Sequence, residues 1–126
     1  MLTSGWKSYE ACDLNGIGLI SKELAGKKDL HKAINKMSLM ECHGWPDGIV
    51  EMRIAQKKEE GVWLLKCQPS CWRLYFYVEE CEKKFIYVSA VCKKRDAEDP
   101  ASCKRAANIR EKIRSKQLTT KLLPFG

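Results

Sequence analysis

The stretch between Cys71 and Lys94 constrains the fold of this chain most. It holds two apolar runs, Trp72-Arg73-Leu74-Tyr75-Phe76-Tyr77-Val78 and Phe85-Ile86-Tyr87-Val88-Ser89-Ala90-Val91, separated by the polar segment Glu80-Cys81-Glu82-Lys83-Lys84. Each run is short and rich in aromatic and β-branched residues, which suits a pleated sheet better than a helix. Two such runs joined by a short polar turn predict an antiparallel hairpin. Further strands are expected upstream. Ile49, Met52 and Ile54 mark one over residues 49–56, and Lys57-Lys58-Glu59-Glu60-Gly61 makes a charged turn into another over 62–67. Pro69 then interrupts, because it cannot donate to a central ladder.

Helices flank this β region. Ile20, Leu24, Leu30, Ile34 and Met37 recur at three- and four-residue steps, predicting helix over 19–40 with a break near Gly26 and Asp29 as a cap. Lys27, Lys28, Lys32 and Lys36 occupy the opposite, solvated face. Asp99-Pro100 is a helix start, and Ala106, Ile109 and Ile113 stripe a helix over 101–117. A short strand is expected over 8–13. Residues 118–126 form either a flexible tail or one docked through Leu122, Leu123 and Phe125. The expected fold is a single α+β domain over 1–126: an antiparallel sheet of three to five strands, spanning residues 49–94 and flanked by N-terminal and C-terminal helices.

A chain of 126 residues with 44% apolar and 31% charged composition can bury a core without a metal or cross-links. It has no apolar run near the roughly 20 residues that span a bilayer, and its first residues lack a signal peptide's apolar core. No membrane association and a cytoplasmic location are expected. The net charge of +7 suits a polyanionic partner. The seven cysteines are odd in number and come without a secretory signal, so free thiols, no disulfide and no metal are expected. Cys67 and Cys71 offer one C-x3-C pair with no second knuckle, short of zinc's usual four ligands. A zinc-stabilised adaptor is the weakest of the readings.

The residues also carry a resemblance. Gly48-Ile49-Val50-Glu51-Met52-Arg53, the strand around Arg73, Ile86-Tyr87-Val88-Ser89-Ala90-Val91-Cys92-Lys93-Lys94 and the helix beginning at Pro100 together resemble the HigB-like, phage-associated branch of the RelE/ParE toxin superfamily. The resemblance covers about residues 30–114. It departs from the family pattern at Val91, where an aromatic is usual, and in the longer segment 62–70. It gives no clear match to the toxins' catalytic histidine or C-terminal tyrosine.

The resemblance implies a type II toxin that cleaves mRNA on the ribosome and is silenced by an acidic antitoxin. Cleavage proceeds by attack of an RNA 2′-hydroxyl on the adjacent phosphate and needs no metal or other cofactor. The implied catalytic residues are Arg73, Arg53, Lys93 and Lys94, whose cations would neutralise charge building on the phosphate. Lys57, Lys58, Tyr75, Tyr77 and His43 are the candidates for holding RNA. Tyr75 and Tyr77 share a face with Arg73 by the two-residue period of a strand. An open face would make them a stacking platform, whereas a face packed under a helix would make them core. Each cation also has a plainer reading, as a structural ion pair or a solvated position. The alternative function is a non-catalytic binding protein on the same fold, either a ParE-like topoisomerase inhibitor or a phage-encoded interaction protein.

Overall fold

In a computed structural model, residues 5–46, 55–58, 61–93 and 99–124 are described. The order of elements is β1 (Lys7–Ala11), α1 (Leu19–Leu24), α2 (Leu30–His43), β2 (Ala55–Lys57), β3 (Trp63–Lys66), β4 (Trp72–Glu79), β5 (Lys84–Cys92), α3 (Pro100–Arg114) and β6 (Thr120–Leu122). The class is α+β, as expected, but the sheet is larger and not purely antiparallel. Its six strands run in the order β2-β3-β4-β5-β1-β6. The strands from β2 to β5 form an antiparallel meander. β1 then lies parallel to β5, with Tyr9 opposite Ile86, and β6 pairs antiparallel with β1, with Tyr9 opposite Leu122. A five-residue strand carrying Lys7 and Glu10 advertises little about its partner, and a parallel neighbour can only be reached over a long connection.

The C-terminal segment is docked as far as residue 124, through Leu123, whereas Leu122 is exposed and Phe125 lies outside the described residues. β6 closes that edge of the sheet, and Leu123 is buried in the core while its amide donates to the Ser8 carbonyl at 3.0 Å. The break between the first two helices falls where expected, with Gly26 at φ 67°. Asp29 does sit at the α2 N-cap, but its side chain makes no cap bond and instead pairs with Lys32 at 3.4 Å. Asp99 is the cap expected at α3, accepting from the Ser102 amide at 3.1 Å, with Pro100 in the first turn.

Helices cover both faces of the sheet. On one face Trp72, Leu74 and Phe76 of β4 and Phe85 and Tyr87 of β5 pack with Ile20 and Leu24 of α1 and Met37 and Met40 of α2. On the other, Tyr75, Tyr77, Ile86 and Val88 pack with Ala106 and Ala107 of α3. β4 is therefore buried on both sides, the physical reason its sequence reads as an almost unbroken apolar run.

The expectation of free thiols throughout is corrected at one place. Cys71, just before β4, and Cys92, the last residue of β5, are joined by a disulfide. Trp72 stands opposite Cys92, so at the open end of the β4–β5 hairpin register, not chain proximity, brings Cys71 diagonally beside Cys92. Cys12 and Cys67 are buried free thiols, and Cys42 and Cys81 are exposed free thiols. Burial pushes the Cys67 thiol up to about 12. With Cys71 bonded to Cys92, the C-x3-C pair is not a pair of thiolate ligands. No group of three or more metal-binding side chains occurs among the described residues. No helix among them is long and apolar enough to cross a membrane.

Candidate functional site

The register of the sheet gathers charge at one end. Lys66 on β3 stands directly opposite Arg73 on β4, which stands opposite Val91 on β5. Residues directly opposite one another project from the same face, so Lys66 and Arg73 share the face that α3 covers. Lys93 lies two residues beyond Val91, and its amide donates to the Cys71 carbonyl at 2.8 Å. Its ammonium reaches the α3 layer, 3.0 Å from Oδ2 of Asp99. Lys66, Arg73 and Lys93 thus stand at the same end of the sheet, with Lys93 paired to the N-cap of α3.

Placing Lys66 opposite Arg73 is unfavourable on its own, since like charges directly across a ladder repel. The N-terminal turn of a helix is also positive. Asp99 is an anion that the chain supplies at this end of the sheet, beside Lys93 and the α3 N-terminus. Its carboxylate accepts from the Ser102 hydroxyl and amide and pairs with Lys93. The Ser102 side-chain bond first, then the Lys93 bond, holds Asp99 down to about 2.

Tyr75 lies within the same electrostatic environment. Burial raises its phenol above the ordinary value, Asp99 and Cys103 raise it further, and Arg73 opposes them. Tyr77 sits one step along the face, under the Arg110 guanidinium 5.6 Å from its ring centre. Burial, with a contribution from Glu79, pushes Tyr77 up to about 12. Both tyrosines are only 2% exposed and Arg73 only 7%. The face they share is core under α3, so neither ring is available for a base to stack on in this conformation.

The other expected residues are scattered. His43 ends α2, on the opposite face of the sheet from Arg73. Lys57 ends the edge strand β2 and is exposed, and Lys58 follows it in the turn, where its amide donates to Val62. Arg53 and Lys94 lie outside the described residues. The structure thus brings Arg73 and Lys93 to the same end of the sheet and leaves His43, Lys57 and Lys58 away from it. Lys66 was missed by sequence reasoning because its strand reads as Trp-Leu-Leu-Lys, and only the register with Arg73 marks it out.

A second buried charge also went unread. Glu10 on β1 has no solvent exposure, and its carboxylate receives the amides of Ile20 at 3.1 Å and Ser21 at 2.8 Å and the Ser21 hydroxyl. It therefore caps α1 from outside that helix, in place of the usual local Ser, Thr, Asp or Asn. This is a structural device that ties β1 to α1.

No protein-family model matches the chain, and a search of curated proteins returns no match.

Proposed function

We propose that the chain acts on RNA as a toxin of the RelE/HigB kind, a ribosome-dependent mRNA endoribonuclease held in check by an acidic antitoxin. The observation that carries the reading is the placing of Lys66, Arg73 and Lys93 at one end of the sheet, with Lys93 beside the first turn of α3. A phosphate undergoing attack by a neighbouring 2′-hydroxyl gathers negative charge on its non-bridging oxygens. Preorganised cations are the groups that stabilise such charge, and a guanidinium matches phosphate oxygens two at a time. Arg73 takes that role in the proposal, with Lys93 released from Asp99 to assist. The nucleophile is internal to the substrate, so a bound geometry that aligns it supplies much of the rate.

The burial of Arg73, Tyr75 and Tyr77 beneath α3 favours a second reading, a non-catalytic binding protein on the same fold. Under the first reading α3 must shift to admit RNA. Under the second it stays.

The test is induced expression with mapping of mRNA 5′ ends, for the wild type, Arg73→Ala and Arg73→Lys, with thermal melts of the purified proteins. Removing one preorganised cation from the phosphate lowers cleavage by about 10²–10³-fold while the melt is retained, and Arg73→Lys restores part of it. Early melting of Arg73→Ala, at the roughly 3–5 kcal/mol expected for breaking a buried charge pair, assigns Arg73 to structure instead. Wild-type protein that cuts no RNA with or without ribosomes removes the enzyme reading and leaves the binding protein.

A further inference from the structure

The net charge is not spread along the chain. Residues 100–126 hold seven lysines and arginines and a single acid, Glu111, whereas residues 1–99 hold sixteen basic and fifteen acidic residues. The C-terminal fifth of the protein therefore carries +6 of the total +7. Within it, α3 turns Ser102, Ala106 and Ala107 into the sheet and leaves Ala101, Lys104, Arg105, Asn108, Glu111, Lys112 and Arg114 exposed, Glu111 being the one acid among them. Lys104, Asn108 and Lys112 recur at four-residue steps along one outward stripe, and Arg105 flanks it three residues before Asn108. Lys104 to Lys112 spans about 12 Å at 1.5 Å per residue. Ser115 and Lys116, also exposed, continue the polar surface past the end of the helix.

We propose that this outward face of α3 is a docking surface for the sugar–phosphate backbone of double-stranded RNA. The charge segregation calls for a polyanion. The composition of the stripe selects the kind. Single-stranded nucleic acid is held by aromatic side chains on which bases stack, and no aromatic residue occurs between Pro100 and Pro124. A duplex keeps its bases stacked and offers only its backbone and groove edges, which cations and small polar side chains can meet. A-form RNA presents its 2′-hydroxyls across a wide, shallow minor groove. Asn108 lies between Lys104 and Lys112 along the stripe, where its amide can donate to and accept from such hydroxyls. The surface is on the opposite side of α3 from the sheet-end cluster and requires no cleavage, so it stands or falls apart from the enzyme reading.

The experiment uses the full chain, a fluorescently labelled 16-base-pair RNA duplex, the corresponding single strand and the DNA duplex of the same sequence. Binding is read by anisotropy over a salt series, without ribosomes. The comparison is between Lys104→Gln/Arg105→Gln/Lys112→Gln and an equally charged control on the other helical layer, Lys22→Gln/Lys27→Gln/Lys28→Gln, all six positions being exposed. The expected result is tightest binding to the RNA duplex. The α3 variant binds it at least tenfold more weakly, and its slope of log K against log salt is shallower by about 0.9 for each phosphate it no longer neutralises. The control variant keeps affinity within about twofold and keeps the slope. Equal weakening by the control overturns the proposal, since binding would then follow overall charge. Unchanged binding by the α3 variant overturns it too, as does tighter binding of the single strand or of the DNA duplex.

Discussion

Replacing Glu10 with alanine removes the carboxylate that caps α1 from β1. Two backbone amides, of Ile20 and Ser21, then lose their acceptor, while the half-buried Ser21 hydroxyl can turn towards water. An orphaned buried donor costs about 1–3 kcal/mol. Against this, alanine avoids the side-chain entropy of ordering a glutamate, up to about 1.5–2 kcal/mol. For two donors the gross cost is about 2–6 kcal/mol, so the net expectation is a loss centred near about 2 kcal/mol, a sizeable part of the roughly 5–15 kcal/mol that stabilises a domain. In urea this lowers the unfolding midpoint by about 1 M at an m-value near 2 kcal/mol/M. Gly18 makes the test sharper. A Cβ at Gly18 would overlap the Glu10 carboxylate, so Gly18→Ala displaces the cap and loses the same bonds. The two substitutions therefore share one mechanism, and the double variant should be about as unstable as either single one. A double-mutant cycle measured by urea unfolding reads this as a coupling energy of about 2 kcal/mol or more. Additive losses, or a Glu10→Ala variant within about 0.5 kcal/mol of the wild type, would refute the capping role.

Two other outcomes are expected. The Cys71–Cys92 bond closes a loop with a sequence separation of 21, so its removal by paired Cys71→Ser and Cys92→Ser substitutions should cost about 3 kcal/mol; equal melting of the pair variant and the wild type under oxidising conditions would contradict it. Asp99 has a folded-state pKa lowered from 3.8 to about 2, so the stability it contributes is complete above about pH 4 and is lost as pH falls from 4 towards 2. Urea midpoints measured from pH 6 to pH 2 should therefore fall less steeply for Asp99→Asn than for the wild type, and parallel curves would show that the cap and the Lys93 pair carry no such stability.

Much of the architecture is legible in the sequence because it is local. The β4–β5 hairpin follows from two aromatic and β-branched runs around a polar turn. The start of α3 follows from Asp99-Pro100, and the break before α2 from Gly26. The pairing of Arg73 with Tyr75 and Tyr77 on one face is equally local, being set by the two-residue period of a strand. Whether that face is open or covered is not, because it depends on where a helix well downstream in the chain comes to rest. The same holds for the parallel partner of β1, for β6, for the Lys66–Arg73 juxtaposition and for the Cys71–Cys92 bond. Each joins segments whose own sequences carry no mark of one another. Glu10 is the clearest case: in sequence it is a polar residue in a weak strand, and only the approach of the α1 N-terminus, brought close enough by Gly18, makes it a buried cap. Periodicity and caps are written residue by residue, whereas register and layer order are decided by which distant surfaces bury one another best.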